Sequence, residues 1–128
     1  MKQELYFADA APTGAHYAPA IRCGSAIYVS GQLPVDPRTR ALCTGPIEEQ
    51  VQAALRNLTE ILAQGGAAPQ DIVRTTCYIT DIAHWDAVNQ AYAAYFGAYK
   101  PARTIVTVPQ IHFGCLVEID AIALCEER

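Results

Sequence analysis

Apolar residues recur at helical spacing near the middle of the chain. Five of them follow one another three or four positions apart: Ile47, Val51, Leu55, Leu58 and Leu62. This spacing places all five on one face of an α-helix. Pro46 suits the first helical turn, and the glycine pair at 65–66 favours a C-terminal end. The pattern predicts a helix with Pro46 in its first turn that ends at the glycine pair and buries one face.

A second helical stripe follows Asp81, whose side chain favours the N-cap position. Its members are Ile82, Trp85, Val88 or Asn89, Tyr92 and Phe96. Gly97 then favours the end of the helix. The pattern predicts a second amphipathic helix between Asp81 and Gly97.

β-branched and apolar residues without helical spacing surround these two helices. Residues 71–79 are the richest in such residues and predict a central strand. The other predicted strands and extended segments are 5–8, 20–22, 26–30, 103–108 and 116–124. Strands therefore precede, separate and follow the two helices.

This order predicts one α+β domain over residues 1–128, a sheet with two helices packed on one face. Two helices leave the other face of the sheet uncovered. That face would carry Tyr28 or Val29, Thr76 or Cys77, and members of the last two strands. Such a surface is too apolar for water, so the sequence predicts a homo-oligomer.

Composition limits the classes of partner. The formal net charge is −4 at pH 7 and Lys and Arg do not cluster, which argues against nucleic acid. No apolar run approaches the ~20 residues of a membrane-spanning helix. The first six residues lack the apolar core of a signal peptide, and five widely spaced cysteines fit free thiols. We therefore expect a cytoplasmic protein without a membrane partner.

Two charged residues in the last two apolar strands are the main candidates for chemistry. Arg103 offers a planar fork that matches a carboxylate, and alternation places it on one face with Ile105 and Thr107. Glu118 shares a face with Asp120 and offers a proton acceptor or donor. The alternative is that Arg103 and Glu118 pair with each other or face solvent.

The other polar residues do not predict a metal or cofactor site. The three histidines, His16, His84 and His112, are scattered, and His112-x-x-Cys115 alone is not a metal site. The sequence has no glycine-rich phosphate loop and no Schiff-base lysine signature. Chemistry without a metal or cofactor depends on positioning and acid–base help, which suits hydrolysis of an already reactive substrate.

Six segments, in this order, resemble the RidA (YjgF) family of reactive intermediate deaminases. They are residues 28–34, 50–62, 71–76, 88–96, 101–103 and 117–123. The resemblance implies a chorismate-mutase-like α+β fold and a homotrimer with three pockets between subunits. It also implies cofactor-free hydrolysis of enamines or imines, such as 2-aminoacrylate, to 2-keto acids and ammonia.

Carried over by position, the resemblance assigns roles to individual residues. It implies that Arg103 binds the substrate carboxylate, that Glu118 positions or activates the attacking water, and that Tyr17 closes the pocket. It also implies that backbone groups of Gly31 and Ile105 hold the substrate nitrogen, and that Ser30 and Asn89 shape the surroundings of the pocket.

The chain departs from the family pattern near these positions. Ile105 replaces the usual cysteine or serine, and residues 15–19 and 109–112 replace the usual Gly-Pro-Tyr-Ser-Gln and Arg-Leu-Pro segments. These departures leave three alternatives to a general deaminase. One is a dedicated pathway deaminase of an aminomuconate-type compound, the second is a small-acid-binding protein without turnover, and the third is a chaperone-like interaction protein.

Overall fold

The computed structural model describes residues 1–126 and contains one six-stranded sheet with two α-helices on one face. The strands are β1 Lys2–Leu5, β2 Ala20–Cys23, β3 Ala26–Gln32, β4 Ile72–Ile79, β5 Ala102–Thr107 and β6 Val117–Leu124, and the helices are α1 Ile47–Gln64 and α2 Trp85–Phe96. The strand order is β1-β2-β3-β6-β4-β5, and β4 and β5 are the parallel pair. The predicted α+β fold is confirmed.

Helix α1 buries the predicted stripe against the centre of the sheet. Val51, Leu58 and Leu62 are fully buried, and they pack in one core with inward-facing residues of β3, β4 and β6. Burying one such side chain contributes about 1.5–3 kcal/mol before the entropy of ordering it. Gly65 ends the helix as predicted. The sheet centre is therefore the rigid part on which the site residues stand.

Helix α2 begins later than predicted. The Asp81 carboxylate accepts a hydrogen bond from the Ala83 N–H at 2.9 Å, which stabilises a short 3₁₀ turn over Ile82–His84. The α-helix then begins at Trp85, and Ile82 is 65% exposed. The prediction that Ile82 belongs to the buried stripe is wrong, because the 3₁₀ turn rotates it away from the core.

Side-chain alternation decides which residues face the helices. Val29 and Cys77 lie in the core, whereas Tyr28 and Thr76 lie on the open face. The open face also carries Ser30, Arg74, Tyr78, Glu118, Asp120, Ile122 and Leu124. This face is therefore apolar at one end, where Tyr28 and Leu124 are exposed, and polar near its middle.

A β-bulge interrupts the pairing of β3 with β6. Val29 pairs with Ala121 and Gln32 pairs with Ile119, so two residues of β3 stand opposite Asp120 alone. Those two residues are Ser30 and Gly31. Bulges re-aim side chains and are frequent beside active sites. The bulge therefore marks this part of the open face.

Strand β1 lies earlier in the chain than predicted. It spans Lys2–Leu5 instead of the predicted 5–8, because these residues pair with β2. Leu5 lies opposite Ala20, and β1 is the outermost strand of the sheet.

Within residues 1–126, neither helix is both long and apolar enough to cross a bilayer.

Candidate active site

Arg103 lies on the edge strand β5 and faces helix α2. Its pairing with the buried Thr75 of β4 directs its side chain toward the helices. The guanidinium carbon lies 5.4 Å from the centre of the Trp85 ring and 5.0 Å from the centre of the Tyr92 ring. Cation–π contacts of this kind hold the planar group in one orientation. We call Arg103, Trp85 and Tyr92 the arginine half-site.

The hydrogen-bond donors of Arg103 are uncommitted. Among residues 1–126 the ion pair is Arg38 with Glu60, and the guanidinium of Arg103 has no carboxylate partner and no hydrogen bond. A half-buried guanidinium with open donors is suited to a planar anion, which it can bind through two parallel charge-assisted bonds. The alternative of an Arg103–Glu118 ion pair within one chain is therefore excluded.

The surroundings of Arg103 are apolar on one side and open on the other. Ile105 is half-buried beside Cys77, and burial raises the pKa of the Cys77 thiol to about 12. This thiol is therefore neutral and unreactive at ordinary pH. Asn89 is exposed on α2, and helical spacing places it between Trp85 and Tyr92. Its side chain is therefore exposed on the helix face that carries these two rings.

Glu118 lies on the open face of β6, next to the bulge. A Cβ built on Gly31 would lie 2.8 Å from the Glu118 Cδ and Oε2 atoms, closer than real side chains approach. Glycine at position 31 therefore makes room for the carboxylate. We call Glu118, Gly31, Ser30 and Tyr17 the glutamate half-site.

The electrostatics of Glu118 favour proton transfer. Partial burial raises the pKa of Glu118 above its usual range, the nearby Asp120 carboxylate raises it further, and His112 opposes the shift. Asp120 accepts hydrogen bonds from the Thr76 N–H at 3.2 Å and the Tyr78 hydroxyl at 3.5 Å. The Glu118 carboxylate has no hydrogen-bond partner within residues 1–126. Of the two carboxylates, Glu118 is the one left available.

Ser30 anchors the segment that carries Tyr17. Its hydroxyl donates to the Ala18 carbonyl at 2.7 Å, and its N–H donates to the Pro19 carbonyl at 2.9 Å. Tyr17 is 61% exposed, and with Gly31 it lines a cavity of about 400 Å³. The role of Ser30 in this structure is thus to hold the tyrosine segment against the bulge.

The two half-sites lie on opposite faces of the sheet. Arg103 shares its face with Thr75, whereas Glu118 pairs with Tyr78, three residues further along β4 and on the other face. Two strand spacings and three residues of rise separate their Cα atoms by roughly 14 Å. One chain therefore brings together Tyr17, Ser30, Gly31 and Glu118, and separately Arg103, Asn89 and Ile105, but not both sets.

Sequence reasoning missed the partners that orient the two charges. Trp85 and Tyr92 stand seven residues apart, which puts them on one helix face, but the apolar stripe predicts core packing for both. Trp85 is the one tryptophan of the chain and is 39% exposed, so it covers Arg103 rather than the core. No sequence signal indicated that His112 lies near Glu118.

The fold and the site define a class of small α+β protein with an aromatic-covered arginine on one sheet face and a carboxylate on the other. This chain belongs to the family described as Endoribonuclease L-PSP, the RidA/YjgF family, whose model matches residues 8–125. The resemblance found in the sequence is confirmed.

Two curated relatives illustrate the similarity. A RutC family protein of Pyrococcus abyssi is 38% identical over 127 residues, which cover 98% of this chain and all of the relative. The human 2-iminobutanoate/2-iminopropanoate deaminase is 35% identical over 108 residues, covering 84% of this chain and 79% of the relative. The family therefore includes reactive intermediate deaminases.

Solved structures have the same fold. The YyfA protein of the conserved Rid family from Yersinia pestis has a TM-score of 0.90 and 38% identity, covering 97% of this chain and 99% of its own. The E. coli protein TdcF, solved with bound serine, has a TM-score of 0.88 and 28% identity, covering 95% and 98%. A protein of this fold therefore binds a small amino acid.

Proposed function

We propose that this protein hydrolyses small carboxylate-bearing enamines and imines, such as 2-aminoacrylate, to 2-keto acids and ammonia. The observation that carries the proposal is the Arg103 guanidinium, oriented by two aromatic rings with its donors uncommitted. Deaminases among the relatives, and serine bound to a protein of the same fold, support a small substrate with a carboxylate.

The reaction needs one group that binds the carboxylate and one group that accepts and donates protons. Arg103 binds the carboxylate next to the imine carbon, and Glu118 accepts a proton as water forms a bond to that carbon. Glu118 returns this proton to the nitrogen, which gives the carbinolamine. It then takes the hydroxyl proton and delivers it to the same nitrogen as the C–N bond breaks, so ammonia leaves and the carbonyl of the keto acid forms. An enamine substrate first becomes the imine by gaining a proton at its terminal carbon and losing one from nitrogen. A carboxyl whose pKa is raised exchanges protons near neutral pH more readily than an ordinary glutamate.

The substrate pocket is formed between subunits of a homotrimer. Arg103 and Glu118 stand on opposite faces of the sheet, so one chain cannot present both to one substrate. A heterologous contact, in which the arginine half-site of one subunit meets the glutamate half-site of the next, closes into a ring. Exposed Tyr28 and Leu124 on the open face supply apolar area for this contact. Tyr17 then closes the pocket, and the Gly31 and Ile105 backbones hold the nitrogen.

Charge and thiol state support a small-molecule enzyme of the cytoplasm. The family description contains the word endoribonuclease, but the net charge of −4 disfavours binding of RNA by this chain. All five cysteines are free in the structure, and Cys77, Cys115 and Cys125 are buried. Free thiols are typical of a reducing compartment.

Turnover is tested by generating the imine in solution. An amino-acid oxidase acting on L-alanine releases the 2-imino acid, and formation of keto acid and ammonia is followed with and without the protein. We expect acceleration over spontaneous hydrolysis. Thermal stabilisation by pyruvate without acceleration would instead favour a small-acid-binding protein, and protection of client proteins independent of Arg103 would favour the chaperone-like alternative.

Mixing two impaired variants tests whether the pocket lies between subunits. Arg103→Ala and Glu118→Gln each remove one half of every pocket. After the two are unfolded and refolded together, random assembly restores both groups in about a quarter of the pockets. We therefore expect the mixture to recover about that share of the wild-type kcat/KM, while each variant refolded alone keeps about a hundredth of it or less.

Sedimentation of the same samples provides the control for the mixing experiment. Wild type and both variants should sediment as trimers at micromolar concentration. A stable monomer, or a mixture as inactive as its components, would show that the pocket is not shared between subunits.

Gly31→Ala tests the approach of the Glu118 carboxylate to the bulge. The new methyl group would lie 2.8 Å from the Glu118 carboxylate, so that flexible side chain must move. We expect kcat to fall about tenfold, since the proton acceptor is misplaced by about 1 Å. Because Gly31 does not have a positive φ, the free energy of unfolding should hardly change. Unchanged kcat with wild-type stability would contradict this role of Gly31.

A further inference from the structure

Arg40 has a backbone conformation that is unfavourable for a long side chain. Its φ angle is +65°, in the left-handed region where glycine or asparagine is preferred. The turn before it is well made, because Asp36 Oδ1 accepts the N–H groups of Arg38 at 2.8 Å and Thr39 at 3.3 Å. The turn itself would fit glycine at position 40 better, so the arginine side chain requires a separate reason.

The position of Arg40 suggests that reason. Arg40 lines the cavity of about 400 Å³ that Tyr17 and Gly31 also line. Among the described residues around this cavity it is the one charged side chain, and the rest are apolar or neutral. The volume lies in the range of small-molecule sites. The cavity therefore connects Tyr17 and Gly31, two of the four residues of the glutamate half-site, to a positive charge.

The Arg40 guanidinium is available to a ligand. It has no hydrogen bond from its side chain and no carboxylate partner within residues 1–126. The neighbouring Arg38, in contrast, binds the two oxygens of Glu60 at 2.8 Å each. The chain as a whole is negative, with a net charge of −4, but the charge at this cavity is that of Arg40. The cavity therefore favours an anion.

We propose that Arg40 is a specificity-determining residue that binds a second anionic group of the substrate, so that small dicarboxylates are the preferred substrate class. This inference rests on the proposed function for the reaction itself. Arg103 holds the carboxylate next to the imine carbon, and Arg40 binds the carboxylate at the far end of the molecule. A monocarboxylate makes no contact with Arg40, whose guanidinium then stays hydrated. It is still a substrate, because Arg103 binds its one carboxylate.

Two imines and two variants test this assignment. A glutamate oxidase supplies 2-iminoglutarate, and an amino-acid oxidase acting on L-alanine supplies 2-iminopropanoate; spontaneous hydrolysis is subtracted. Arg40→Gly and Arg40→Asn both suit a positive φ, so folding should be preserved. Arg56→Ala removes an exposed arginine of α1 that lines a different cavity and serves as the charge-matched control.

We expect both Arg40 variants to lower kcat/KM for 2-iminoglutarate about tenfold, the effect of losing one charge-assisted contact. Turnover of 2-iminopropanoate should stay within about twofold of wild type, and the difference between the imines should shrink at high salt. Arg56→Ala should leave the ratio unchanged. Arg40→Gly should also raise Tm, because glycine adopts the left-handed conformation without strain. Equal losses for both imines, or an unchanged ratio, would overturn the proposal.

Calorimetric binding of 2-oxoglutarate and pyruvate separates this inference from the proposed reaction. If neither imine is hydrolysed but Arg40→Gly still weakens 2-oxoglutarate binding selectively, the deaminase proposal fails and the assignment of Arg40 stands. If both keto acids bind wild type and Arg40→Gly equally well, the assignment of Arg40 fails whatever the turnover.

Discussion

Arg103→Ala should lower kcat/KM for 2-iminopropanoate about a hundredfold. Removing the guanidinium deletes two charge-assisted bonds to the substrate carboxylate, which together stabilise the bound state by about 3 kcal/mol. The loss should appear mainly in KM, because the carboxylate is bound in the ground state and the transition state alike. A smaller fall in kcat should follow because the imine carbon is no longer held in one orientation.

Arg103→Lys tests the shape of the guanidinium separately from its charge. Arg103→Lys keeps the charge but loses the planar fork and its fit between Trp85 and Tyr92, so we expect about a tenfold loss. Lys100→Ala, three residues earlier and exposed, removes the same charge without touching the half-site and should retain wild-type kinetics. Steady-state kinetics with the oxidase-generated imine measure all three, and sedimentation checks assembly. Wild-type KM in Arg103→Ala would refute carboxylate binding by Arg103.

Local patterns in the sequence were sufficient for the elements that bury a regular face. The α1 stripe and the β-branched strand β4 are both confirmed because burial alone decides their spacing. The α2 stripe mixed three environments: Val88 faces the core, Trp85 covers Arg103, and Ile82 is exposed. Apolar spacing cannot distinguish a side chain that packs in the core from one that covers a charged group.

The relation between Arg103 and Glu118 could not be predicted from their strands. Alternation correctly groups each residue with its neighbours along its own strand. Which face of the sheet a strand presents depends on long-range pairing, here β5 parallel to β4 and β4 antiparallel to β6. That pairing puts the two charges on opposite faces. The β-bulge at Ser30–Gly31 likewise leaves no sequence signal beyond the glycine itself.

Glu118→Gln should lower kcat by about a hundredfold to a thousandfold. The amide keeps the size of the side chain but cannot accept the proton of the attacking water. In the wild-type protein Glu118 must be ionised to act as a base, and its pKa is raised by burial and by Asp120. Activity should therefore fall as pH decreases through that raised pKa, at a higher pH than an ordinary glutamate would give. The acid limb should be missing from the residual activity of Glu118→Gln.

Asp120→Asn is the matched control for the pH profile. Asp120 is hydrogen-bonded to β4 and lies beside Glu118, so its neutralisation removes one cause of the raised Glu118 pKa. The variant should keep a substantial kcat, and its acid limb should move to lower pH. An acid limb unchanged in both variants would mean that another group accepts the proton.

Thermal stability provides a readout of Glu118 that does not depend on turnover. A carboxyl whose folded pKa is raised destabilises the native state once it is ionised, so its cost is absent below its unfolded pKa and appears as pH rises through the folded pKa. The comparison is made in the Arg103→Ala background, which removes the cation that the neighbouring subunit brings to the pocket. Arg103→Ala and the Arg103→Ala/Glu118→Gln double variant should therefore melt alike at low pH, and the double variant should melt at a higher temperature at neutral pH. A double variant that is less stable at neutral pH would show that the ionised carboxylate is held by favourable contacts within its own chain, and the assignment of Glu118 as an uncommitted base would fail.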